Sequence, residues 1–168
     1  MQNLIIGYGN TDRQDDGVAW HVISHVIKSL GYEPPEEFEE SFPLPFGDAD
    51  FLFQLQLTPE LSELLVAYGR VCFVDAHTGA VPEDVHFEIL QPGYQQSPFT
   101  HHLTPGSLLA MSSSVYAKAP ESVLISVRGY EFGFSRDLSE LSASLLPAAV
   151  ELIVNWLNSS RNVAIGDS

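Results

Sequence analysis

The sequence has little to offer a nucleic acid. Of its 168 residues only seven are Lys or Arg, against 22 Asp or Glu, which gives a formal net charge of -15. Phosphate binding needs clustered cations, so DNA, RNA and anionic membrane surfaces are excluded as partners. Cysteine is scarcer still. Cys72 stands alone, so no internal disulfide forms, and the chain reads as cytoplasmic. No run reaches the roughly 20 apolar residues that span a bilayer. The first residues lack the basic segment, apolar segment and cleavage site of a secretory signal. There is no G-x-S-x-G elbow, no Walker loop and no H-E-x-x-H. What is left is an acidic chain of single-domain length, suited to a cation or a basic partner.

Apolar residues are plentiful, at 45%, and their spacing predicts an α/β fold. Asn3-Leu4-Ile5-Ile6 reads as a buried strand. Val18, Val22, Val26 and Leu30 repeat along a helix that starts at Asp15 or Asp16 and stops at Gly31. The stretch from Glu33 to Asp48 is acidic and proline-rich, and reads as a loop or a distorted edge segment. Residues 51–57 alternate, with Phe51, Phe53, Leu55 and Leu57 on one face of a strand. Thr58 and Pro59 open a helix with Leu61, Leu64 and Leu65 inward. Residues 71–76, 85–90 and 122–129 complete a set of about five strands. Tyr130 to Phe134 extend the last strand or form a hairpin with it. Thr104-Pro105 opens another helix. A long terminal helix, with a break near Pro147, ends at about Leu157. Strands alternating with helices predict one three-layer domain, residues 1–158, with a mostly parallel twisted sheet. Residues 159–168 read as a frayed tail.

Residues 7–17, GYGNTDRQDDG, pose the functional question. A strand, a glycine-rich loop and a helix in that order suggest a phosphate cradle. A dinucleotide fingerprint requires a third glycine where this chain has Asp12, so nucleotide binding is disfavoured. The paired aspartates have a plain reading, in which they cap the helix and complement its dipole. They also have a chemical one. In an open parallel sheet, ligands bind beyond the carboxyl ends of the strands. Asp16 follows the first strand, Asp75 ends the strand VCFVD, and His101 and His102 precede the Thr104 helix. Two carboxylates and an imidazole suit a divalent metal with open positions. His21 and His25 lie four apart on the polar face of their helix and read as exposed bystanders. His77 is a spare ligand beside Asp75, and Cys72 reads as a small core residue. Arg13 pairs with a carboxylate, contacts a substrate or is solvated.

Read together, these pieces resemble the hydrogenase maturation proteases. GYGNTDRQDDGV is similar to that family's G-x-G-N-x-x-x-x-D-D-G signature. QLTPEL, VCFVDA, HHLTPGSLLAM and SVRGYEFGF follow in the family's order, so the resemblance covers about Asn3 to Leu157. It implies an endopeptidase that removes the C-terminal extension of a [NiFe] hydrogenase large-subunit precursor once nickel has been inserted. It also implies that Asp16, Asp75 and His101 meet the nickel carried by the precursor and form the catalytic site, with His102 as the alternative histidine. The resemblance further implies a site that another divalent metal can occupy in the isolated protein. The expected partner is the precursor, and a monomer leaves the groove free. Two other functions remain open: a nickel-sensing maturation factor without catalysis, and a metal-dependent hydrolase of small molecules, which needs an enclosed pocket.

Overall fold

Leu4, Ile5 and Ile6 are completely enclosed, so strand β1 (Asn3–Tyr8) lies at the centre of a sheet covered on both sides. Burying each such side chain contributes about 2 kcal/mol. This is a computed structural model, and it describes residues 2–39, 41–93 and 103–166, with side chains through residue 160. The other strands are β2 (Leu44–Phe46), β3 (Ala49–Gln54), β4 (Arg70–His77), β5 (Val85–Leu90) and β6 (Glu121–Arg128). Their order is β2-β3-β1-β4-β6-β5. The inner four run parallel, and the edge strands β2 and β5 run antiparallel to their neighbours.

Helices cover both faces, as expected of a three-layer α/β domain. One core joins Ile5, Phe51, Cys72 and Val74 to helix α1 (Val18–Ser29) and helix α5 (Leu146–Gly166). The other joins Leu4, Ile6, Leu52 and Phe73 to α2 (Leu61–Leu65) and α3 (Pro105–Tyr116). Consecutive β1 residues alternate between the two cores, which is why this strand reads as a continuous apolar run. Thr104 caps α3 by accepting the Ser107 amide at 3.1 Å, with Pro105 in the first turn, as that sequence requires. Gly31 lies at φ +93 just past α1 and closes that helix.

Several expectations are corrected. The acidic, proline-rich stretch contains a short edge strand, β2, in line with its reading as an edge segment, and this makes the strands six rather than about five. Strand β3 ends at Gln54 and is covered on both faces, so Leu55 is exposed rather than inward. Thr58 does not cap α2, whose first turn follows Glu60 without a side-chain cap. Residues 130–134 are neither a strand nor a hairpin. The terminal helical segment does break near Pro147 as expected, at Leu145, between α4 (Glu140–Ser144) and α5. It then continues to Gly166, through the residues expected to fray. The polar Ser159 and Ser160 are anchored there, by Arg70 at 3.0 Å and Asn3 at 3.3 Å. By length and composition alone Glu140–Ser160 is long and apolar enough to cross a membrane, contrary to the expectation that no run suffices. In the fold, Ala149, Ile153, Trp156 and Leu157 bury one face of it in the α1 core.

Candidate active site

The chain leaves β1 for α1 and β3 on one side, then returns past β1 to β4 on the other. The crevice between the carboxyl ends of β1 and β4 is therefore a topological switch point, where open α/β sheets bind ligands. Asp75 stands near the end of β4. Asp16 stands in a short 3-10 turn, Gln14–Gly17, between β1 and α1.

The glycine-rich loop holds Asp16 by close packing. Gly9 has φ +144, and a Cβ there would collide with the Asp16 carbonyl oxygen, so only glycine fits. At Gly17 a Cβ would lie 2.6 Å from the Thr11 Cα. The Asn10 amide donates to Asp16 Oδ2 at 2.9 Å. The Asn10 side chain in turn accepts the Asp12 amide at 3.0 Å, an Asx turn that fixes the loop. Part of the glycine-aspartate signature is thus a device for presenting one half-buried carboxylate.

Asp15 does something different. Neither aspartate caps α1, which has no side-chain cap. Asp15 is fully buried and accepts the Tyr130 and Glu131 amides at 2.9 Å each. It also accepts the Ser139 amide at 2.8 Å and the Ser139 hydroxyl at 2.6 Å. Burial alone would raise this carboxyl, but these donors more than offset it and bring its pKa down to about 2. Gln14 reinforces the tie: its amide donates to the Ser135 carbonyl at 2.8 Å, and its side chain accepts from Gly133 at 3.1 Å. Arg13 belongs to the same joint. It donates to the Phe132 carbonyl at 3.0 Å and lies 5.0 Å over the Phe134 ring. The stretch RGYEFGF is therefore a strap bound to the loop that carries Asp16.

Asp75 has fewer partners. The Ala76 amide donates to its Oδ1 at 2.7 Å, and the Tyr8 hydroxyl faces the carboxylate and favours its charged form. Burial dominates and pushes its pKa up to about 7, with the negative charge of Asp16 adding to the rise. Tyr8 is itself raised, by burial and then by Asp75. The structure thus brings Asp16 and Asp75 into electrostatic contact and adds Tyr8, which the sequence reading passed over. Its signal was the aromatic residue at the end of β1. Without the parallel pairing of β1 with β4, nothing connects that residue to Asp75.

The remaining candidates separate. His101 and His102 lie outside the described residues. Among the described residues no group of three or more His, Cys, Asp or Glu is placed to hold a metal. His77 is occupied in the β4–β5 connection, facing the Asp84 carbonyl at 3.2 Å and accepting the Gly79 amide at 3.0 Å. Cys72 is completely buried, and burial pushes its thiol up, which makes it inert. His25 is exposed as expected, whereas His21 is half-buried and lines a cleft beside Thr11.

No protein-family model matches the sequence, and no curated protein sequence does. Solved structures do match the fold. The hydrogenase maturating endopeptidase HybD from E. coli superposes with a TM-score of 0.66 at 15% identity, over 95% of this chain and 94% of that one. The [NiFe] hydrogenase maturation protease HycI from Thermococcus kodakarensis KOD1 gives 0.63 at 21% identity, over 94% and 92%. The chain has the hydrogenase maturation protease fold. The hydrogenase 2 maturation peptidase from Thaumarchaeota archaeon SCGC_AB-539-E09 is similar over 94% of this chain and 99% of its own, with a TM-score of 0.59 and 22% identity. On the hydrogenase maturation protease fold, this chain sets Asp16, Asp75 and Tyr8 together at the switch point.

Proposed function

We propose that this protein is a cytoplasmic endopeptidase that removes the C-terminal extension from a nickel-loaded [NiFe] hydrogenase large-subunit precursor. The observation that carries the proposal is the pairing of Asp16 and Asp75 at the switch point of this fold. The precursor brings the nickel, so the metal is part of the substrate. Asp16, Asp75 and His101 are the side chains assigned to meet it, with His102 as the alternative. The donor set fits. Asp75 holds a proton to about pH 7 because it is buried beside the charge of Asp16, and a divalent cation relieves both costs. Two carboxylate oxygens and an imidazole complete the coordination of an ion already held by thiolates. Other divalent metals suit the same oxygens when no precursor is present.

The chain's own residues then have definite tasks. The Asn10 amide aims Asp16, the Ala76 amide aims Asp75, and Tyr8 faces Asp75. A carboxylate oxygen not engaged by the cation takes the proton of the attacking water. Water oxygen adds to the scissile carbonyl carbon, the C–N bond breaks, and the same carboxyl passes its proton to the leaving nitrogen. Nickel on the precursor polarises that carbonyl or its water when it is bound. A monomer leaves this edge of the sheet open to a protein substrate.

The test is intact mass spectrometry of a large-subunit precursor incubated with the protein, with and without nickel loading. Loss of a C-terminal peptide from the loaded precursor alone is expected, and His101→Ala abolishes it. Binding without any mass change would replace the protease with a nickel-sensing factor. No binding and no cleavage, with hydrolysis of small esters instead, would favour a small-molecule hydrolase.

A further inference from the structure

Beside the Asp16 loop lies a cleft of about 430 Å³ that the reaction does not use. Its floor is aromatic. Trp20 packs edge-on against Phe38 at 5.7 Å and against Phe53 at 5.4 Å, and all three residues are only partly buried. Leu55, 64% exposed, stands on the wall. Glu36 and Glu37 form the rim and are both exposed. The cation facing them, Arg136, is already paired with Asp12 at 2.9 Å. His21 also lines the cleft, and burial lowers its pKa, which favours the neutral ring.

The cleft adjoins the candidate active site. Thr11, in the loop that holds Asp16, lines it, and so does Gln54. Gln54 sits opposite Tyr8 in the β1–β3 register, and its carbonyl accepts the Gly9 amide at 3.0 Å. A polypeptide lying across the carboxyl ends of β4, β1 and β3 would pass from Asp75 over Tyr8 and into the cleft.

We infer that this cleft binds the precursor polypeptide, taking one large apolar side chain among Trp20, Phe38 and Phe53 and pairing Glu36 and Glu37 with flanking Lys or Arg. The inference rests on the protease reading for the identity of the partner. The chemistry of the occupant rests on the cleft itself. Partly buried aromatic rings lining an open cleft are the usual anchors of protein recognition. A carboxylate pair whose facing cation, Arg136, is shared with Asp12, on a chain of net charge -15, favours a basic neighbour and steers its approach. The cleft is open and rimmed by charge, unlike the enclosed pocket that a small apolar ligand prefers.

The test is fluorescence anisotropy of the intact protein with two labelled ten-residue peptides, each carrying one central Phe. One has Lys on both sides of it and the other has Glu. The Lys peptide is expected to bind and the Glu peptide to fail, with affinity falling as salt rises. The double variant Glu36→Gln/Glu37→Gln, exposed and harmless to folding, weakens the Lys peptide roughly fivefold to tenfold. Trp20→Phe, which keeps a ring in the floor, weakens it less. Asp16→Asn leaves peptide binding unchanged. With a nickel-loaded precursor, the double variant raises KM and leaves kcat alone. Equal binding of the two peptides, no binding of either, or indifference to the double variant would overturn the cleft assignment even if processing is intact. Peptide binding as described, with no processing of any loaded precursor, would overturn the protease reading and leave the cleft as a peptide site.

Discussion

The two ends of β4 are built on opposite terms. At the amino end, Arg70 is buried and satisfied. It donates to the Trp156 carbonyl at 3.1 Å and to Ser159 Oγ at 3.0 Å, and lies 4.1 Å over the Trp156 ring. At the carboxyl end, Asp75 is half-buried, and it has one amide, a tyrosine hydroxyl and a like charge beside it. Arg70 is a charge the fold has finished with, and it anchors the terminal helix. Asp75 is a charge left short of partners, as a group waiting for a cation would be. Asp15 repeats the lesson next to Asp16: with four donors it is a structural peg, whereas its neighbour is offered at the rim.

The sharpest way to break this comparison is to neutralise the carboxyl end. Asp75→Asn or Asp16→Asn should reduce processing of a nickel-loaded precursor about a thousandfold, read by intact mass, with an unchanged circular dichroism spectrum. Full activity in either variant would remove the active site from this edge. Next in size is Asp15→Ala. It strands several buried donors and should cost about 3 kcal/mol in urea unfolding. Its pH signature follows from the folded value of about 2, below the ordinary 3.8. The contribution of the carboxylate is complete above pH 3.8, and about 2 kcal/mol of it is lost as the pH falls through 2.

At the other end of β4, Arg70→Met should cost about 2 kcal/mol of stability. Activity per folded molecule should not change, because this end is structural. The smallest effect has the opposite sign. The Asp75 pKa is raised from 3.8 to about 7, so the folded state holds a proton that the unfolded chain releases. Stability therefore declines as the pH rises from 3.8 to about 7. At pH 8 Asp75→Asn should gain about 1 kcal/mol, measured by urea unfolding, while losing activity.

Much of this arrangement was legible in the sequence. Continuous apolar runs marked β1, β4 and β6, and helical spacing marked α1, because burial on two faces or one leaves a direct pattern. Asp16 and Asp75 were legible because both follow strands, and the ends of parallel strands share a rim. Arg13 and Asp15 were not. Their partners lie in residues 130–139, a strap without periodicity, and such long-range ties leave no local trace. Tyr8 was hidden for a similar reason, since strand pairing alone brings it to Asp75. The edge strand β2 was legible only as one of two readings, because the acidic and proline residues that edges tolerate also suit a loop. The terminal helix was cut short because its serines look solvent-facing until Arg70 is seen beneath them.

The most direct test is the titration of the aspartate carboxyls by 13C NMR, with and without zinc as a diamagnetic divalent probe. The account predicts Asp75 titrating near 7 and Asp15 near 2, with zinc driving Asp75 to lower pH and leaving Asp15 unmoved. Asp75 titrating in the ordinary carboxylate range near 3.8, indifferent to zinc, would contradict the claim that the carboxyl end of β4 is held ready for a cation.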